Sequence, residues 1–151
     1  MLSPLWRCAP KANSKARSAV RAAVALCGVA LAANAEAALH LADDAHVRGL
    51  NARWRGKDTA TNVLSFPAAR ADAISAAPLL GDIIVAYETL ERESAEMNVG
   101  FDDHFLHLTV HGFLHLIGFD HETVKQARLM EGLERRILGH LGLADPYPEE
   151  P

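Results

Sequence analysis

Four histidines between Asp102 and Ile117, namely His104, His107, His111 and His115, recur at three- and four-residue steps, and such a spacing aligns only on an α-helix. At 3.6 residues per turn they fall within about 80° of one another. The opposite side carries Leu106, Val110, Phe113, Leu114 and Ile117. Such a helix is apolar over most of its surface and belongs inside a fold, with one imidazole stripe left over. Burial does not require four imidazoles in a line. Two histidines at i and i+4, however, project side by side and can hold one tetrahedral ion. His107 with His111 and His111 with His115 both meet that spacing, whereas His104 and His111 lie roughly 10.5 Å apart along the axis and cannot share a metal. The chain after His115 selects the register. Gly118 can take the left-handed conformation that ends a helix, returning His121 as a third ligand. Thr123 and Gln126 then make a capping box for the last helix. The expected ligands are His111, His115 and His121, with His104 and His107 as hydrogen-bonding or packing groups. Three neutral imidazoles leave the +2 charge of zinc intact and a fourth position open to water, whose pKa can then fall to about 7.

The rest of the chain supplies a frame for that helix. Its 151 residues fit one domain, taken as 1–151 with flexible ends. Only Cys8 and Cys27 occur, with no CxxC, which suits a reducing compartment. A net charge of −4 gives no global pull toward a polyanion, so any nucleic-acid contact must use a local basic patch. The alanine-rich run Ala19 to Ala38 has the outline of a secretory signal, with Lys15, Arg17 and Arg21 before or within it. The reading preferred here is an amphipathic helix with Val20, Val24, Cys27 and Leu31 on one stripe, too short an apolar run to span a bilayer. Strands are expected at Ala37–Leu41, Thr61–Pro67 and Leu79–Val85. Helices are expected from an Asp43 or Asp44 cap toward Trp54, and from about Glu88 to Met97. Residues 53–58 and 68–78 read as loops. The fold class is α+β: a small mixed β-sheet packed with about five helices, the histidine helix central, and a zincin-like metal site.

From His111 to His121 the chain has the HExxHxxGxxH spacing of metzincin proteases, but Gly112 stands where their glutamate base would be. That argues against peptide hydrolysis. A glycine in mid-helix costs about 1 kcal/mol relative to alanine, so it signals close approach by substrate or by a neighbouring strand. The same string matches HGxLHLxGYDH at every position except Phe119, where tyrosine is usual. Arg55-Gly56-Lys57-Asp58 followed by Thr61 to Pro67 matches RGKDxxTNVLSFP, and Gly81-Asp82-Ile83 and Asp145-Pro146-Tyr147 are also familiar. On these motifs residues 17–147 resemble the YbeY family of bacterial rRNA maturation factors and endoribonucleases.

The resemblance implies a cytoplasmic, zinc-dependent, single-strand-specific endoribonuclease acting in small-subunit rRNA 3′-end maturation and ribosome quality control. It implies one zinc per chain on His111, His115 and His121, and a functional arginine at Arg55. Implied partners are single-stranded or ribosomal RNA, the ribosomal small subunit and a ribosome-associated GTPase, with no membrane. Arg55 suits phosphate because its planar fork can engage two oxygens at once. Arg53, Lys57 and Arg70 are expected to extend a basic rim, and Asp120 and Glu122 are the acids nearest His121. Two other readings compete: a protease-like zinc hydrolase, and a non-enzymatic ribosome-biogenesis factor with structural zinc. An open fourth coordination position favours catalysis over the second.

Overall fold

The computed structural model describes residues 2–147; the expected flexible C-terminal residues 148–151 lie outside them. The elements in chain order are α1 (Ala12–Leu26), β1 (Glu36–Ala42), α2 (Asp44–Arg55), β2 (Val63–Pro67), β3 (Leu79–Ala86), α3 (Tyr87–Met97), α4 (Phe101–Leu116) and α5 (Val124–His140). The sheet has the order β1-β3-β2, with β1 parallel and β2 antiparallel to the central β3. This is the small mixed α+β sheet the sequence implies. β3 is apolar on both sides because both are covered: Ile83 and Val85 join the main core, while Ile84 joins Ala42, Val47 and Leu64 in a smaller core beneath α2. α4 lies against the main-core face, with Phe105, Val110, Phe113 and Leu114 at most 1% exposed.

Several boundaries differ from the sequence reading for physical reasons. α1 begins at Ala12 and ends at Leu26, before Gly28, so Leu31 is outside it. Its inward face is Ala12, Ala16, Ala19, Ala22 and Ala23 rather than the valines, and Val24 is 45% exposed. Small side chains let α1 approach α4 closely, and close packing outranks bulk there. The expected loop at 53–58 is helical through Arg55, and Gly56 (φ 69) closes α2. Within 68–78, Ala71–Ala76 forms a 3-10 turn that buries Ile74.

The N-terminal residues are also packed. Ser3 N donates to Leu41 O at 2.7 Å, and Trp6 Nε1 donates to Ala42 O at 2.8 Å. The Trp6 ring is 2% exposed and sits against Tyr87, Phe101 and Phe105. No helix among the described residues is long and apolar enough to cross a membrane.

Candidate metal centre

α4 places its histidines as the helical wheel requires, and its surroundings divide them into two sets. His104 is 4% exposed and its Nε2 lies 2.9 Å from Glu93 Oε1. His107 Nε2 lies 3.2 Å from the Tyr147 hydroxyl. Both are engaged by protein groups and face away from ligand duty. His111 and His115 instead bring their Nε2 atoms to 3.2 Å of each other. Two ligands on one tetrahedral ion, with metal–nitrogen bonds of about 2.0–2.1 Å, stand roughly 3.3 Å apart.

His121 completes the set. Gly118 (φ 106) takes a backbone conformation closed to most side chains, Phe119 N donates to Leu114 O at 3.0 Å, and the chain reverses. The Asp120 carboxylate accepts from His121 N at 2.8 Å, and the Thr123–Gln126 capping box is formed on both sides. Held between these two anchors, the His121 ring lies 4.9 Å from that of His115. One nitrogen from each of His111, His115 and His121 falls within 4.8 Å of the other two. Three convergent imidazoles with a cleft on the remaining side fit a divalent ion of the zinc type.

Beneath the triad lies a carboxylate that sequence reasoning missed. Glu134, on α5, is 0% exposed. Its Oε1 accepts from His111 Nδ1 at 2.6 Å and its Oε2 accepts from the Tyr147 hydroxyl at 2.6 Å. Burial alone would raise its pKa, but the nearby His107 imidazole and the hydrogen bonds from His111 and Tyr147 outweigh that and hold it at about 2. Burial, and then the bond to Glu134, pushes the Tyr147 phenol up. A carboxylate on Nδ1 fixes the His111 tautomer and leaves Nε2 free to ligate. Burial lowers the His115 pKa, and the neighbouring His111 and His121 lower it further, which favours the neutral, ligating form. The available signal was Glu134 standing on the apolar stripe Met130, Leu133, Ile137 of α5.

Gly112 is explained by a strand, not a substrate. A Cβ there would meet Ile83 Cγ2 at 2.8 Å and Ser65 Oγ at 3.1 Å, and Ser65 Oγ donates to Gly112 O at 2.9 Å. Gly112→Ala is therefore expected to lower stability by about 1–3 kcal/mol through overpacking, despite alanine's better helix propensity. A denaturant midpoint equal to or above wild type would contradict this.

The triad opens into a cleft of about 990 Å³ that Arg55, Lys57 and Asp120 also line. Arg55 reaches it from the last turn of α2, donating from Nη2 to Ser65 O at 2.8 Å. Glu122 lines the cleft but is exposed. Two expected rim cations lie elsewhere: Arg53 stacks over Trp54 and Arg70 pairs with Asp72 at 3.1 Å.

A family profile described as "Endoribonuclease YbeY" matches residues 9–142. The chain is similar to an Endoribonuclease YbeY of Rhodopseudomonas palustris, 49% identical over 153 residues that cover 99% of this chain and 88% of the relative. One from Rhizobium johnstonii is 59% identical over 113 residues, covering 74% of this chain and 66% of the relative. A solution structure of TM1509 from Thermotoga maritima shares the fold, with a TM-score of 0.56 at 22% identity over 93% of both chains.

Proposed function

The chain belongs to the Endoribonuclease YbeY family, and from that premise we propose that it cleaves single-stranded RNA at a metal ion held by His111, His115 and His121. The observation that carries this is the convergence of the three imidazoles on the floor of a cleft that also receives Arg55. Zinc bound there would supply Lewis-acid polarisation of a phosphoryl oxygen and an activated water. The protein's own groups do the rest. Arg55, braced on Ser65 O, presents its guanidinium to a phosphate in the cleft and offsets charge gathering on the non-bridging oxygens. Lys57 adds a second cation. Of the two acids on the cleft wall, Asp120 is half-buried and fixed by the His121 amide through Oδ1, so its Oδ2 is the better positioned proton acceptor.

A protease-like reading is disfavoured by Gly112, because a glutamate there would be driven into Ile83. The substrate role extends to ribosomal RNA at the small-subunit 3′ end, with the small subunit and a ribosome-associated GTPase as partners and the cytoplasm as its location. Zinc at one per chain is the expected cofactor. The test is cleavage of single-stranded RNA by zinc-loaded wild type and Arg55→Ala. Removing one preorganised charge from a developing oxyanion should cost about 10²–10³ in kcat with metal content unchanged. Equal rates in the two proteins would exclude this role for Arg55, and no RNA cleavage by wild type, free or with ribosomes, would exclude the nuclease.

A further inference from the structure

The face of the sheet turned away from α4 holds a second cavity, of about 450 Å³, walled by Leu50, Trp54, Phe66, Ile84, His40 and Asp82. Trp54 stands on the last turn of α2 and is 63% exposed. An indole that open adds little to the core, and it keeps a broad flat ring in water beside an apolar hollow. The Arg53 guanidinium carbon lies 5.1 Å from its ring centre.

This hollow and the metal cleft both border β2, which lies at the edge of the sheet. Side chains alternate along that strand: Ser65 bonds to Gly112 on the α4 side, whereas Phe66 lines the hollow on the α2 side. Arg55 spans the edge between them. It lines the metal cleft, donates to Ser65 O at 2.8 Å, and sets its guanidinium carbon 5.5 Å from the Phe66 ring centre. A strand whose phosphate sat on Arg55 would pass its neighbouring nucleotide toward Phe66 and the hollow.

We propose that the Trp54–Phe66 hollow is a nucleobase subsite, taking one unpaired base of the RNA strand held in the metal cleft; this rests on the endoribonuclease reading. Aromatic faces flanked by cations are how proteins grip single strands, stacking on the bases and neutralising the backbone. Arg53, Arg55 and Lys57 put three cations within five residues of this ring, the local basic patch that a chain of net charge −4 needs. Only a splayed base can enter, so the subsite rejects duplex. Its wall includes the half-exposed Asp82 carboxylate, 2.9 Å from His40 Nε2. A carboxylate accepts from the amino groups of adenine, cytosine and guanine and equally from uracil N3–H, so it anchors a base without choosing one, and stacking strength favours the larger purine ring.

The test uses intrinsic fluorescence and RNA binding in the full chain. Trp6 is buried and Trp54 exposed, so the emission that RNA can quench comes from Trp54. In a His115→Ala background, which keeps the RNA intact, an adenine octamer should quench that emission. Adding Trp54→Ala should weaken octamer binding about 10-fold or more, with Trp54→Phe restoring most of it. A uridine octamer should bind less tightly than the adenine one. In the active enzyme Trp54→Ala should raise KM for the octamer more than it lowers kcat, with Trp54→Phe restoring KM. Octamer binding that is unquenched and unaltered in Trp54→Ala would overturn the subsite, and would leave the nuclease standing if Arg55→Ala still abolishes cleavage. A loss confined to binding of a protein partner would also overturn it. If the wild type neither binds nor cleaves RNA, both readings fall.

Discussion

Glu134→Ala is expected to weaken metal binding about 10- to 100-fold and to destabilise the metal-free fold by about 3 kcal/mol or more. The carboxylate touches no substrate, so both effects come from what it holds. One oxygen receives His111 Nδ1–H and the other receives the Tyr147 hydroxyl, each at 2.6 Å, in a site with no exposure. Deleting it leaves two half-buried donors without that acceptor, opens a cavity, and frees the His111 ring to rotate its Nε2 away from His115. Glu134→Gln separates the two roles. It keeps the volume and one acceptor, so stability should largely recover, while the lost charge still lowers the basicity of His111 and with it the metal affinity. Tyr147→Phe, which removes one bond from the same carboxylate, should cost about 1 kcal/mol. Chelator competition measures the metal term and denaturant midpoints of stripped protein measure the fold. Wild-type metal affinity in Glu134→Ala would show that His111 is oriented by packing alone.

The triad was legible in the sequence because local geometry dictates it. The i, i+4 pair is set by helix periodicity, and Gly118 and the Thr123 cap fix where His121 returns. Strand positions were legible for the same reason, since Val63–Pro67 is a β-rich run stopped by Pro67 and Leu79–Ala86 is an apolar run that follows Pro78. What stayed hidden depends on contacts between distant segments. Glu134 and Tyr147 lie 23 and 36 residues from His111, and nothing in their own neighbourhoods says that they meet it. The alanine face of α1 was missed because periodicity weights bulk, while a close helix crossing selects smallness. Gly112 was legible as a close approach but not its cause, which required knowing that β2 and β3 pass over α4.

His115→Ala should reduce bound zinc from about one per chain to a small fraction and lower RNA cleavage by at least about 10³-fold, yet leave the protein folded. The first two effects follow from the donor count: two imidazoles hold a tetrahedral ion far less tightly than three. The third separates a catalytic from a structural metal. In small zinc-built domains the ion replaces a core, and removing it unfolds the chain. Here the core faces the other way, with Phe105, Val110, Phe113 and Leu114 buried on the far side of α4 against the sheet, α1 and α5. His115 itself is only half-buried on the cleft wall. Its loss removes little packing, so the melting temperature of the variant should match that of metal-stripped wild type within a few degrees. Zinc should raise the wild-type value only as mass action requires, in proportion to the logarithm of its free concentration. Circular dichroism melts of wild type and variant, with and without chelator, measure this directly. If stripped wild type loses its cooperative transition, the metal is structural, and the chain acts in ribosome assembly through binding rather than catalysis.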